Sequence, residues 1–192
     1  MAVRAEASKR VQDAIVAATV SIVAREGVAA VTHRRLAAEA GVSLSSTTWH
    51  FAKKTDILMA GLRWTAAHEV ARIGEIADRM GDTGFDPAAW AEELAEWLIG
   101  QVTTERERAV ALYRLQIELY GDPGAREVHR AWGRGLRALG ERAIEHSATS
   151  DVDIRLVVAA LDGLRLSVIL AGEEDVEWLR MAVRRQLKSL LG

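Results

Sequence analysis

Between Thr32 and Leu58 the chain concentrates small hydroxyl and cationic side chains at helical spacing. Ser43, Ser45, Ser46, Thr48 and His50 can exchange hydrogen bonds with base edges or with phosphate oxygens. Trp49 adds a large ring to the same stretch. Lys53 and Lys54 follow at once, and each can neutralise a phosphate. Thr32 and Arg34 open the preceding segment and can do the same, whereas Arg34 and Arg35, being adjacent, lie ~100° apart on a helix and cannot share one target. Hydroxyls to read edges and cations to hold a backbone are the chemistry of contact with a double-stranded polyanion.

That chemistry needs a short helix presented outward, and the flanking residues supply one. A helix is expected to begin at Thr32, whose hydroxyl caps it, and to bury Leu36, Ala37 and Ala40. Gly41 suits the positive φ of a sharp corner, with Val42 packed in the angle. The next helix runs from Leu44 to Phe51, capped by Ser43, and its free N-terminal amides suit a phosphate. Leu44 and Thr47 are expected to face inward, with Phe51 plugging the base. Two short helices around a glycine turn form a helix-turn-helix unit. It is preceded by a helix over Ser8–Arg25, with Val11, Ile15, Ala18 and Ile22 on one stripe and a stop at Gly27. A long helix over Lys54–Met80 follows, its apolar line formed by Leu58, Leu62, Ala66, Ile73 and Ala77.

The rest of the 192-residue chain also reads as helix, with two Pro, 49% hydrophobic residues and no sustained alternation. Asp86-Pro87 starts a helix carrying Trp90, Leu94, Trp97 and Leu98 after a loop over Gly81–Asp86. Further helices are expected over Glu105–Tyr120, Ala125–His146, a segment capped by Asp151 and closed by Gly172, and Glu173–Leu191, with a loop at Ser147–Ser150. The expected fold is all-α with about nine helices: a three-helix head over 1–53 and a larger helical bundle over 54–192.

Composition excludes several chemistries. Without Cys there is no disulfide scaffold, Cys-based zinc site, iron–sulfur cluster or Cys nucleophile. The five His have no ligand-like spacing, and there is no HExxH, P-loop or complete GxGxxG; Gly133-Arg-Gly135 lies inside a helical segment. No catalytic residue, metal or cofactor is therefore expected, and the protein is read as no enzyme. Apolar runs such as Leu156–Leu161 fall far short of a bilayer span, and Met1–Lys9 lacks a signal-peptide core, so a cytoplasmic protein without membrane association is expected. Residues 1–60 hold eight Lys/Arg against five Asp/Glu, while the other 132 carry an excess of five acids, so only the head suits a polyanion.

The block from Val11 to Leu62 resembles the TetR (tetracycline-repressor) family of bacterial transcriptional regulators. The resemblance rests on the first stripe, Gly27, Thr32, Leu36-Ala37, Ala40-Gly41-Val42-Ser43, Trp49-His50-Phe51, Lys54 and Ile57-Leu58. It implies a homodimeric, ligand-responsive regulator, usually a repressor. It also implies that Thr32, Ser43, Ser45, Ser46, Thr48, Trp49, His50 and Lys54 lie at or near DNA. Thr47 stands where many members have Leu or Val, Thr48 where Tyr is common, and Ala52-Lys53 where Pro-Ser caps the fourth helix.

The body is read as a sensor for an unidentified small molecule. Its candidate ligand-contacting residues are Trp64, His68, Trp97, Tyr113, Gln116 and Asp162, set among aromatics that include Trp90, Tyr120 and Trp132. Asp162 and Arg165 interrupt an apolar helix and can pair at i,i+3. Leu161, Leu164 and Val168, with Val183, Leu187 and Leu190, form an apolar side on the last two helices, through which a homodimer is expected. The alternative is a helical adaptor that binds protein and not DNA.

Overall fold

The computed structural model describes residues 2–81, 86–144, 153–172 and 175–191 of the chain. Among them the fold is all-α: nine α-helices, one short 3-10 turn and no strand. The helices are α1 (Ala2–Glu26), α2 (His33–Ala40), α3 (Leu44–His50), α4 (Lys54–Gly81), α5 (Pro87–Val102), α6 (Arg106–Glu118), α7 (Pro123–Ile144), α8 (Ile154–Ala171) and α9 (Val176–Leu191). Two compact units result, the first made of residues 1–67 and 107–130, the second of 68–106 and 131–192. The divisions fall inside α4, after the first residue of α6 and inside α7.

In the first unit Ile15, Ile22, Leu36, Phe51, Ile57, Leu62, Leu112 and Leu115 form one apolar core. α1 begins at Ala2, earlier than the apolar stripe suggested, because the Ala-rich, proline-free start lets helix continue beyond the buried face. A 3-10 turn over Val28–Ala30, which no periodicity announced, links α1 to α2. Gly41 adopts φ 65°, the left-handed corner that ends α2. Arg114 on α6 donates to the Val23 and Ala24 carbonyls at 2.7 and 2.9 Å, satisfying carbonyls near the end of α1 with a cation. Gly61 lets α4 come close: a Cβ there would lie 3.4 Å from both Leu115 and Thr19 side-chain carbons.

In the second unit α5 packs on α9 and α8, around Ile76, Leu94, Leu98, Val157, Leu161, Leu179, Val183 and Leu187. Asp86 caps α5 through a 2.9 Å bond from the Ala88 amide. α9 is further tied to α5 by Arg180 and Arg184, which bind Glu92, with Arg180 also on Glu96. These contacts correct the expected pairing surface. Leu161, Val168, Val183 and Leu187 are buried and Leu164 is partly buried within a single chain, because α5 covers them. The Leu190 side chain lies outside the described residues. The N-cap of α8 is Asp153 and not Asp151, which also lies outside them, as do the expected loop residues 147–150 and 82–85. α6 ends at Glu118, two residues before Tyr120.

Candidate nucleic-acid interface and internal cavity

α3 is seven residues long and turns one line inward. Thr47 is wholly buried, its hydroxyl donating to the Leu44 carbonyl at 2.8 Å, and Phe51 closes the same line one turn later. That internal bond satisfies the hydroxyl and lets a threonine occupy the buried line. Leu44 does not face inward: it is 51% exposed, because three residues before Thr47 lies roughly 60° round the helix. Ser43 caps the helix, its Oγ accepting from the Ser46 amide at 3.0 Å and lying 2.9 and 2.7 Å from the Ser45 and Ser46 hydroxyls. Thr48 Oγ1 donates to the Ser45 carbonyl at 3.0 Å, which holds its oxygen on the outer side as an acceptor. Ser43, Ser45 and Thr48 are exposed, Ser46 and His50 half-buried. Trp49 is 75% exposed, with its ring edge-on to His50 at 4.6 Å between centroids.

Thr32 caps α2, accepting from the Arg35 amide at 3.2 Å. Arg34 and Arg35 differ in their surroundings. Arg35 binds Glu26 at 2.7 Å and Glu39 at 2.9 Å, and Arg25 binds Glu39 at 2.6 Å. Its Arg25 and Arg35 partners hold the Glu39 carboxyl below its ordinary range. Arg34, by contrast, is exposed. Lys53 and Lys54 are exposed at the start of α4. Asp56 accepts the Lys53 amide at 3.2 Å, so a carboxylate from within the first turn caps this helix in place of a serine. The acid three residues after Lys53 was the signal for it.

The second unit encloses a cavity of about 50 Å³ with apolar walls that include Ile73, Ile76, Trp90, Leu94, Leu136 and Val157. Its polar end holds Glu69, Asp162 and Arg165. Arg165, 1% exposed, binds Glu69 and reaches Asp162 at 2.6 Å, the i,i+3 pair expected from the sequence. Glu69 also accepts from Trp132 Nε1 at 2.8 Å. Burial pushes the Glu69 carboxyl up from its ordinary value, with Arg165 opposing the shift. The Arg165 guanidinium lies 5.9 Å from the Trp97 ring centre. Trp97 Nε1 is buried with no hydrogen-bond partner among the described residues.

Of the six candidate ligand residues, Trp97 and Asp162 line this cavity. Gln116 lines a different groove, in the first unit. Trp64, His68 and Tyr113 line neither. Trp64 lies under the Arg108 guanidinium, and His68 is 3.8 Å from Glu105. Glu69, the residue that gathers the polar end, was not singled out from sequence, although a lone acid three residues after Ala66 on the buried line of α4 was its signal. Among the described residues no cluster of His, Asp or Glu could hold a metal, and no helix is long and apolar enough to cross a membrane.

A helix-turn-helix unit and, in the same chain, an all-helical unit with an apolar cavity define an all-helical DNA-binding class of fold. Residues 15–60 match the family described as bacterial regulatory proteins, tetR family, and residues 85–192 match the tetracyclin repressor-like C-terminal domain. The chain belongs to the TetR family of transcriptional regulators. A TetR-family member from Streptomyces coelicolor is 31% identical over 92% of this chain and 97% of its own, with a TM-score of 0.72. The multidrug binding protein EbrR, in complex with imidazole, is also 31% identical, over 91% and 93%, with a TM-score of 0.68. A Rhodococcus regulator at 22% identity shares the fold over 94% and 95%, with a TM-score of 0.79. No curated protein matches the chain significantly.

Proposed function

We propose that the protein is a homodimeric repressor that holds a near-palindromic operator through residues 1–53 and releases it when a small molecule enters residues 54–192. The outer face of α3 carries this reading, with Ser43, Ser45, Thr48 and Trp49 exposed on a helix whose inner line is closed. Ser45, Ser46 and Thr48 read base edges. Thr32, Arg34, Lys53 and Lys54 set register on phosphates, with Trp49 and His50 against the duplex. Two such heads occupy successive major grooves, ~34–36 Å apart.

Pairing uses the last two helices, but through a face other than the one first expected. Leu156, Ala159, Gly163, Ser167 and Leu170 recur every three or four residues on α8 and are exposed, as are Trp178 and Met181 on α9. Small residues flanked by leucines let two copies approach closely around a two-fold axis. The effector reading is supported by the internal cavity and by EbrR, whose structures hold ethidium, proflavin and malachite green. The Glu69 and Asp162 carboxyls, beside the faces of indole rings, suit an aromatic cation. A cavity of about 50 Å³ holds only a few waters, so an effector must first part the walls. That requirement gives it differential affinity for a second conformation. α4 carries both Lys54 and Glu69 and is the lever.

An electrophoretic shift assay with genomic fragments at two salt concentrations tests the reading. Retarded bands that weaken at the higher salt, and that malachite green abolishes, are expected. Absence of any shift at the lower salt overturns the DNA-binding role.

A further inference from the structure

A second, larger concavity lies in the first unit and plays no part in the reading above. It is a groove of about 440 Å³, floored by Leu62 of α4 and Ala125 of α7, with Gln116, Ile117 and Tyr120 along one wall and Arg126, His129 and Arg130 along the other. Its volume lies within the range of small-molecule sites. Ile117 is 72% exposed and Tyr120 79%, so two large apolar groups stand in water at its rim while Leu62 and Ala125 belong to the buried core beneath. Side chains of this kind, left open above a packed floor, favour an occupant with an apolar body.

The charged side chains that line the groove have one sign, with the Glu127 and Asp122 carboxylates beside it. Both charged groups among the lining residues, Arg126 and Arg130, are guanidiniums. Arg126 gives one of its five N–H donors to the Gly121 carbonyl at 3.0 Å, which fixes the guanidinium and leaves the rest of its fork for an occupant. Arg130 meets Glu127 at 3.5 Å, with both side chains about three-fifths exposed, so the pair is solvated and readily exchanged. The Gln116 amide nitrogen lies 3.5 Å from His129 Nδ1 and bridges the two walls. At the start of α7, Asp122 accepts the Gly124 and Ala125 amides on one carboxylate oxygen, at 2.7 and 3.2 Å. A planar guanidinium fork matches a carboxylate in two parallel bonds.

We infer that this groove is a binding site for a small aromatic carboxylate, its ring against Tyr120 and Ile117 and its carboxylate on Arg126 and Arg130. The groove shares no lining residue with the cavity of the second unit, whose polar end holds Glu69, Asp162 and Arg165.

The test is calorimetric titration of the intact protein with 1-naphthoate, with uncharged 1-naphthamide as the matched probe. Naphthoate is expected to bind one site per chain, at least tenfold more tightly than the amide. Arg126→Gln/Arg130→Gln is expected to weaken naphthoate at least tenfold while leaving the amide unchanged. Trp97→Ala, in the other cavity, leaves naphthoate binding intact. All three positions are followed by circular dichroism, and Tyr120→Ser provides a second groove variant if the double variant folds poorly. Equal affinity for acid and amide overturns the inference, as does naphthoate binding that the double variant retains but Trp97→Ala removes. Dissociation of a dimer by Tyr120→Ser, with no naphthoate bound by the parent, also overturns it and assigns the face to a second copy of the chain.

Discussion

The outer face of α3 and the internal cavity of the second unit are both polar sites on helical scaffolds, yet they are held in opposite ways. Around α3 the hydroxyl side chains are short and satisfied by their own turn: Ser43 caps, and Thr48 returns a bond to Ser45. At the cavity, polar groups from α4, α7 and α8 satisfy one another across long sequence separations, in a place where water does not help. Local satisfaction leaves a surface available for a partner with little cost in stability. Long-range satisfaction in a low dielectric makes the second site part of what holds the fold together.

The strongest way to break that contrast is Arg165→Met. It leaves Glu69 buried without its cation, and removing one member of a buried pair costs about 3–5 kcal/mol. Urea unfolding of the variant is expected to show a loss of that size. The Glu69 carboxyl is already raised by burial, and loss of Arg165 raises it further. An acid whose folded pKa lies above its unfolded value favours folding at low pH and loses that contribution as pH rises through the folded value. The variant should therefore recover relative to the parent as pH falls. Uniform loss at every pH would show that Glu69 does not govern the site. A smaller effect is expected at the corner before α3. Gly41 has φ 65° with no atom within 4 Å of a Cβ, so Gly41→Ala should cost about 1–2 kcal/mol through backbone strain alone. A thermal melt that matches the parent would contradict this.

The same contrast explains what could be read from the chain. The head was legible because each of its devices is local: Thr32 and Ser43 as caps, Gly41 as corner, Thr47 and Phe51 inside. Leu44 misled because one apolar residue at the first position of a short helix has no periodicity to set its direction. The cavity was half legible. Asp162 and Arg165 stood out as charges on an apolar helix, and their pairing is local. Glu69 and Trp132 join them across 63 residues of chain or more, which no spacing rule reports. The last two helices show the limit most clearly. Their leucines and valines are apolar for the sake of α5, and only packing separates a face that meets its own chain from one left open.

The head offers a gentler test of the comparison. Lys54 is exposed, and if it holds a phosphate as proposed, Lys54→Ala should weaken every duplex alike and flatten the salt dependence of binding by about one unit. Folding should be unaffected, as expected of a site satisfied locally. Fluorescence anisotropy at several salt concentrations measures the slope. An unchanged slope with altered sequence preference would move Lys54 from the backbone to a base.

The smallest effect is expected at Asp153, where the second unit also has a locally satisfied device. Its carboxylate caps α8, accepting the Arg155 amide at 2.9 Å and the Arg155 guanidinium at 2.6 Å, and these bonds hold its pKa at about 2. A depressed acid stabilises the fold above its unfolded value, ordinarily 3.8, and ceases to do so as pH falls through the folded one. Asp153→Ala should therefore lower Tm slightly at neutral pH, and the gap to the parent should close between about pH 4 and 2. Asp153→Asn keeps an acceptor for the amide but not the charge, and its Tm should fall between the two. The next residue, Ile154, lines the cavity, so fraying at this cap also loosens one wall of the proposed effector site. If Asp153→Ala alters malachite green binding while Asp153→Asn does not, the cap bond positions that wall. If neither does, the start of α8 is held by packing of Ile154 alone, and the cavity depends even less on local satisfaction than the contrast with α3 already requires.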